Sequence, residues 1–176
     1  MTNLEETAKI LATRAHEGQV RKYTGQPYIA HPEEVADIVR SVPHDEFMLA
    51  AAWLHDTVED CGVTLDTIES ALGGDVRDLV GWLTDVSTKA DGNRKARKAL
   101  DCAHIAQAPA RAQTVKLADL ISNMESIVTY DPDFARVYLR EKAELLEVLT
   151  RGDESLRIRA KSLCDDGLLR LVGNAC

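Results

Sequence analysis

Apolar residues recur three and four positions apart through most of this chain. With helix start and stop signals between the runs, that spacing leaves little room for a sheet. Leu4, Ala8, Leu11, Ala12 and Ala15 share one face of a first helix, opened by Thr2-x-x-Glu5 in a capping-box pattern and closed by Gly18. Residues 19–30 hold Gly25 and Pro27 and predict a loop. Pro32 suits the first turn of a second helix, with Glu33 and Glu34 at its positive end, Val35, Ile38 and Val39 inward, and Pro43 as its stop. A third helix is predicted from about Asp45 to Glu59, with Phe47, Ala50, Ala51, Leu54 and Val58 inward and Gly62 closing it. Thr64 caps a fourth that ends at Gly73-Gly74, and Asp75 caps a fifth carrying Val76, Leu79, Val80 and Leu83. Residues 93–107 form a basic helix, and Pro109 separates it from the apolar stretch Val115 to Val128. Asp131-Pro132 opens a long helix to about Thr150. Gly152-Asp153 restarts a last helical region that reaches Cys164, with a short coda after Asp166.

Composition agrees: aromatics are only 5%, while Ala, Leu, Glu, Arg and Lys recur in every segment. A chain of 176 residues with no long linker or internal repeat predicts a single compact all-α domain, a multi-helix bundle spanning residues 1–176. The net charge of −8 argues against sequence-independent binding to DNA or RNA, which needs a basic face. No apolar run approaches the roughly 20 residues of a membrane span, and the start MTNLEETAKI has no basic-then-apolar signal pattern. Cys61, Cys102, Cys164 and Cys176 show no paired C-x-x-C spacing, so reduced thiols in a cytoplasmic protein are the simplest expectation.

Several polar residues break the amphipathic pattern. In AAAWLHDTVED, His55 and Asp56 follow an apolar run, and on a continuing helix Glu59 and Asp60 fall on the same faces one turn later. An HD pair also fits a merely solvated polar turn. In VKLADLISN, Asp119 is flanked by Leu117, Ala118, Leu120 and Ile121, a costly setting for a carboxylate unless it is paired or binds a cation. Asn123 lies four residues on, on the same face. In PYIAHP, His31 precedes Pro32 at a helix start. Together His31, His55, Asp56 and Asp119 offer two imidazoles and two carboxylates. That set suits a divalent transition metal such as Mn, Fe, Co, Ni or Zn, without the thiolates of a structural zinc site.

The order H…HD…D with these flanks resembles the HD metal-dependent phosphohydrolases. More narrowly, HEGQVRKYTGQPYIAHP (16–32), LHDTVED (54–60), LTDVS (83–87) and VKLADLISN (115–123) resemble the hydrolase domain of the RelA/SpoT alarmone enzymes. The resemblance covers roughly residues 4–150; residues 151–176 carry no motif that it places. With no room for synthetase or regulatory domains, the chain looks like a stand-alone small alarmone hydrolase. The resemblance implies metal ligands at His31, His55, Asp56 and Asp119, usually for Mn2+, although such a donor set accepts other divalent transition metals. It implies that Glu59 and Asp60 position or activate the attacking water. It puts the nucleotide against Arg21, Lys22, Tyr28 and Asn123. The basic run Arg94, Lys95, Arg97 and Lys98 matches the family's basic helix, and Arg136 and Tyr138 lie where some relatives carry substrate-touching residues. Ala30 stands where Asn is frequent.

The implied activity is hydrolysis of the 3′-pyrophosphate of guanosine tetra- or pentaphosphate (ppGpp, pppGpp) to GDP or GTP. Arg21, Lys22, Lys116 and the 94–98 run offset locally the acidic charge of the whole chain. Two other readings stay open: a relative acting on another nucleotide such as NADPH, and a non-catalytic nucleotide-sensing HD module. The second sits poorly with a sequence that keeps every candidate ligand and the acidic pair. The apolar faces of the last helices suit a homodimer.

Overall fold

A computed structural model describes residues 3–173, with side chains through residue 171. All regular elements among them are helical, apart from one isolated bridge between Val20 and Pro27. The chain divides into two compact units, Met1–Val86 and Ser87–Cys176.

The first unit contains α1 (Leu4–Ala15), α2 (Ala30–Arg40), α3 (Glu46–Leu54), α4 (Thr57–Cys61), α5 (Leu65–Leu72) and α6 (Gly74–Leu83). Its centre is α3, capped by the Asp45 carboxylate on the Met48 amide at 2.9 Å. Every residue of α3 from Met48 to Leu54 is buried. A helix that is apolar all round needs partners on several sides, and α1, α2 and α6 pack on it. Trp53 closes the α1 side, its indole N–H donating to Glu5 Oε1 at 3.1 Å. Trp82, by contrast, is only half-buried.

The predicted elements recur with specific corrections. Asn3 caps α1 by accepting from the Glu5 amide, whereas Thr2 lies outside the described residues. The first helix ends at Ala15, with His16 rather than Gly18 as its C-cap, and the second begins at Ala30, ahead of Pro32. No side chain caps α6; Gly73, at φ +88°, makes the corner that Asp75 was expected to make. The expected third helix is two, because the chain turns at His55–Asp56. There Thr57 Oγ1 donates to the Leu54 carbonyl at 2.7 Å, and Asp56 stands as the N-cap of the new helix.

The second unit opens with a short 3-10 turn, Lys89–Asp91, whose capping box joins Thr88 and Asp91. It continues with α7 (Arg94–Ala106), α8 (Ala110–Tyr130), α9 (Pro132–Val148) and α10 (Glu154–Gly173). Asn93 caps α7, and Asp131 with Pro132 opens α9 as the sequence implies. The tail is one helix to Gly173, not a helix and a coda; Cys176 lies outside the described residues. Among the helices of this unit, α8 packs on α9 and α10. The buried Gln113 amide on α8 donates to the Ile105 and Ala106 carbonyls and accepts from the Arg151 amide, which ties three connections to one side chain.

Candidate metal centre

The turn that breaks the expected third helix aims two side chains at one point. His55 is the C-cap of α3 and Asp56 the N-cap of α4. His31, in the first turn of α2, meets them. The Nε2 atoms of His31 and His55 are 3.2 Å apart. Asp56 Oδ2 lies 3.1 Å from His55 Nε2 and 3.6 Å from His31 Nε2. Both imidazoles are 2% exposed, so this triangle is closed to bulk water except at the carboxylate side.

The spacing fits a cation. Two ligand atoms about 2.1 Å from one ion stand about 2.9–3.4 Å apart at octahedral or tetrahedral angles. The tautomer fits too. His55 Nδ1 lies 2.8 Å from the Ala52 carbonyl, which can only accept, so Nδ1 carries the proton and the Nε2 lone pair faces the triangle. Among the described residues, His31, His55 and Asp56 are the group of His, Cys, Asp or Glu whose ligand atoms converge within 4.8 Å.

Around the triangle, the Tyr28 hydroxyl donates to Asp56 Oδ2 at 2.6 Å and approaches Asp60 Oδ2 at 3.4 Å. Burial, then the neighbouring Asp56 charge, raises the Asp60 carboxyl above its ordinary value, while the Tyr28 hydroxyl pulls the other way. Glu59 accepts from the Asp85 amide at 2.6 Å. Arg21 contacts Glu34 at 3.4 Å, and Lys22 lies over the Tyr23 ring with its ammonium 3.2 Å from the Tyr23 hydroxyl.

The remaining sequence candidates belong to the second unit. Asp119 on α8 is buried, with Oδ2 2.9 Å from Lys116 Nζ and Oδ1 2.6 Å from Asn123 Nδ2. The i, i+4 pairing of Asp119 with Asn123 is the one the sequence implies. Arg94 forms a two-bond pair with Glu141, at 2.7 and 2.8 Å, and that bond holds the Glu141 carboxyl below its usual range. Lys98 lies 3.5 Å from the buried Asp101, which also accepts from the Ser87 amide and hydroxyl. Tyr138 is 8% exposed, and burial followed by the Asp119 charge pushes its hydroxyl well above its ordinary value. Arg136 is exposed.

One residue that the sequence reading passed over also reaches the site. His16 is buried and stacks on Tyr28, with ring centroids 4.6 Å apart. The signal available was its place at the head of the same HEGQVRKYTGQPYIAHP segment that ends in His31.

The HD domain family model matches residues 8–149, through both compact units. A guanosine-3′,5′-bis(diphosphate) 3′-pyrophosphohydrolase of Vibrio cholerae is 35% identical over 139 residues, 77% of this chain and 20% of its own length. A probable chloroplastic GTP diphosphokinase, RSH3, of Arabidopsis thaliana is 31% identical over 160 residues, 87% of this chain and 22% of its own. The chain thus spans about a fifth of the length of the curated relatives it matches. Among solved structures, a metazoan ortholog of SpoT that hydrolyses ppGpp superposes with a TM-score of 0.83 at 27% identity, covering 96% of this chain and 98% of that one.

Proposed function

This chain belongs to the HD domain family, and from that membership we propose that it hydrolyses the 3′-pyrophosphate of ppGpp or pppGpp. The observation that carries the reading is the His31–His55–Asp56 triangle, with Tyr28 and Asp60 at its edge, in a chain similar to a metazoan SpoT ortholog that hydrolyses ppGpp. Residues 1–176 act in this reading as one HD phosphohydrolase domain. His31, His55 and Asp56 hold a divalent transition metal, Mn2+ by preference, and Asp119 serves as the fourth ligand. Such an ion, when bound, supplies Lewis acidity toward water and a phosphate oxygen.

The chain's own groups then divide the work. Asp60 and Glu59 orient the attacking water and take its proton. Water adds across the bond between ribose O3′ and phosphorus, leaving a 3′-hydroxyl and free pyrophosphate. Arg21, Lys22, Lys116, Arg94 and Lys98 offset phosphate charge. Arg94 must exchange Glu141 for substrate to do so. Tyr28, Asn123 and Tyr138 bound the nucleoside side; Tyr138, being buried, acts there by shape rather than by an exposed hydroxyl. No helix among the described residues is long and apolar enough to cross a membrane. The reading places the protein in the cytoplasm, without a nucleic-acid partner, and as a homodimer through the last helices, where Ile158 and Leu169 stand exposed.

The test is turnover by purified protein with Mn2+ against ppGpp, pppGpp, NADPH and nucleoside monophosphates, with metal analysis of the same preparation. GDP or GTP appearing with equimolar pyrophosphate supports the reading. Intact ppGpp beside consumed NADPH or monophosphate replaces the substrate. Metal-loaded protein that binds ppGpp without cleaving it leaves a sensing module.

A further inference from the structure

Tyr28 touches the triangle at several points, yet its own side chain sits in a loop. Its hydroxyl donates to Asp56 Oδ2, it approaches Asp60, and its ring stands edge-on to His31 at 5.8 Å and 74°. A carboxylate oxygen carries two lone pairs, so Oδ2 can accept from Tyr28 and still face a cation. How firmly that oxygen is held depends on the direction in which the Tyr28 side chain points its hydroxyl. The backbone fixes only the start of the side chain, through the Tyr28 amide on the Gln19 carbonyl at 2.9 Å.

The swing of that side chain is limited by a different support. His16 lies against the face of Tyr28 at 4.6 Å and 27°, the stacked arrangement. His16 is itself immobilised on several sides. Its amide caps α1 on the Ala12 carbonyl at 2.9 Å. Its Nδ1 is 2.9 Å from Gln19 Oε1 and 3.2 Å from Cys61 Sγ, at the end of the helix that carries Glu59 and Asp60. The ring is 3% exposed. A buried imidazole held at Nδ1 by a side-chain amide and a thiol is a rigid wall.

We propose that His16 is a positioning residue of the metal centre, clamping the Tyr28 ring so that its hydroxyl holds the Asp56 carboxylate in the geometry that binds the ion. The inference rests on the metal-site part of the proposed function, and not on the identity of the nucleotide. Partners that orient a ligand typically change metal affinity about 10–100-fold when lost. His16 acts one contact further out, so a smaller loss is expected.

Calorimetric Mn2+ titration of the full chain tests this without any substrate. His16→Ala is expected to weaken Mn2+ binding on the order of 5–20-fold. His16→Phe, which keeps a ring face and loses the Gln19 and Cys61 contacts, stays within about 3-fold of the parent; His16→Asn, which keeps polar contacts and loses the face, resembles Ala. In the Tyr28→Ala background, His16→Ala causes no further loss, since it acts through the ring that is gone. Ala8→Gly, a destabilising change two turns before His16 in the same helix, lowers the Tm and leaves Mn2+ affinity alone. Parent-like affinity in His16→Ala overturns the proposal, as does a loss that persists without Tyr28. If His16→Ala does not fold, the Phe and Asn variants decide, and tight binding by Asn with weak binding by Phe overturns it. Parent protein that binds Mn2+ with this pattern but cleaves no ppGpp removes the substrate assignment alone. Parent protein that binds no Mn2+ removes both.

Discussion

The Nε2 atoms of His31 and His55, both buried, face each other across 3.2 Å. Because Ala52 fixes the His55 proton on Nδ1, the inner nitrogen presents a lone pair. With Asp56 Oδ2 3.1 Å from it, a neutral nitrogen lone pair and a carboxylate oxygen face one point that a cation can occupy.

Metal removal should therefore destabilise the fold as well as silence it. Ligand at about 100 times its Kd adds about 2.7 kcal/mol to stability. For a chain of this size that is a Tm rise on the order of 5–10 °C. Scanning calorimetry of chelator-treated protein, with and without added Mn2+, checks this. His55→Ala should lose the Mn2+-dependent increment entirely while the chelated Tm changes little or rises. An increment that survives in His55→Ala would place the ion elsewhere.

Glu59→Gln separates water activation from metal holding. Glu59 Oε1 accepts from the Asp85 amide, and a glutamine oxygen can still do so, so the local backbone should stay in place. Loss of the charge should lower kcat at least about 100-fold, the usual scale for a positioned base. Mn2+ affinity by calorimetry should be essentially unchanged. A parallel fall in metal affinity would make Glu59 a ligand rather than a base.

Asp60 carries a pH signature. Burial and the Asp56 charge raise its carboxyl above the ordinary value, so the native state binds that proton more tightly than the unfolded chain does. Its contribution to stability is present below the unfolded pKa and is lost as pH rises through the native one. Asp60→Asn should consequently raise the Tm of metal-free protein at pH 7, on the order of 1–3 °C. Near pH 3 the difference should vanish. A variant less stable than the parent at pH 7 would show that the Tyr28 bond outweighs desolvation.

Much of this was legible in the chain itself, for identifiable reasons. Thr64 and Asp131 cap their helices because a short polar side chain satisfies a free amide wherever it stands, and Pro132 suits the first turn because its φ is already helical. His31, His55 and Asp56 stood out because polar groups inside apolar runs need a reason. The break at His55–Asp56 was hidden, since both residues keep right-handed helical dihedrals (φ −55° and −97°) and the apolar period runs through. The Thr57 hydroxyl bonds the Leu54 carbonyl at that turn, but Thr13 and Thr114 make the same kind of bond inside the unbroken α1 and α8, so local side-chain chemistry leaves the break unmarked as well. His16 continues the buried Ala8–Ala12 spacing by one turn, but a polar residue just past the end of α1 reads as a cap rather than as a buried wall. It is covered by Tyr28 and Cys61, residues 12 and 45 positions away.

Gly152→Ala is a stability test of the second unit alone. A Cβ at Gly152 would lie 2.7 Å from Leu117 Cδ1 and 3.1 Å from the Gln113 carbonyl carbon. The leucine end can rotate, but it is fully buried and has little space to enter, and the backbone carbon cannot yield alone. Gly152 is also held from both sides: the Arg151 amide donates to Gln113 Oε1 and the Asp153 amide to Thr114 Oγ1. Pushing the turn away from α8 therefore stretches both bonds. Since Gln113 also holds the Ile105 and Ala106 carbonyls, the strain passes to the end of α7. Overpacking of this kind costs about 1–3 kcal/mol, a Tm loss on the order of 5 °C here. Gln113→Ala in the same background should cost less than in the parent, because the two changes disturb the same bonds. Additive losses in thermal melts would mean that the turn relaxes without reaching Gln113.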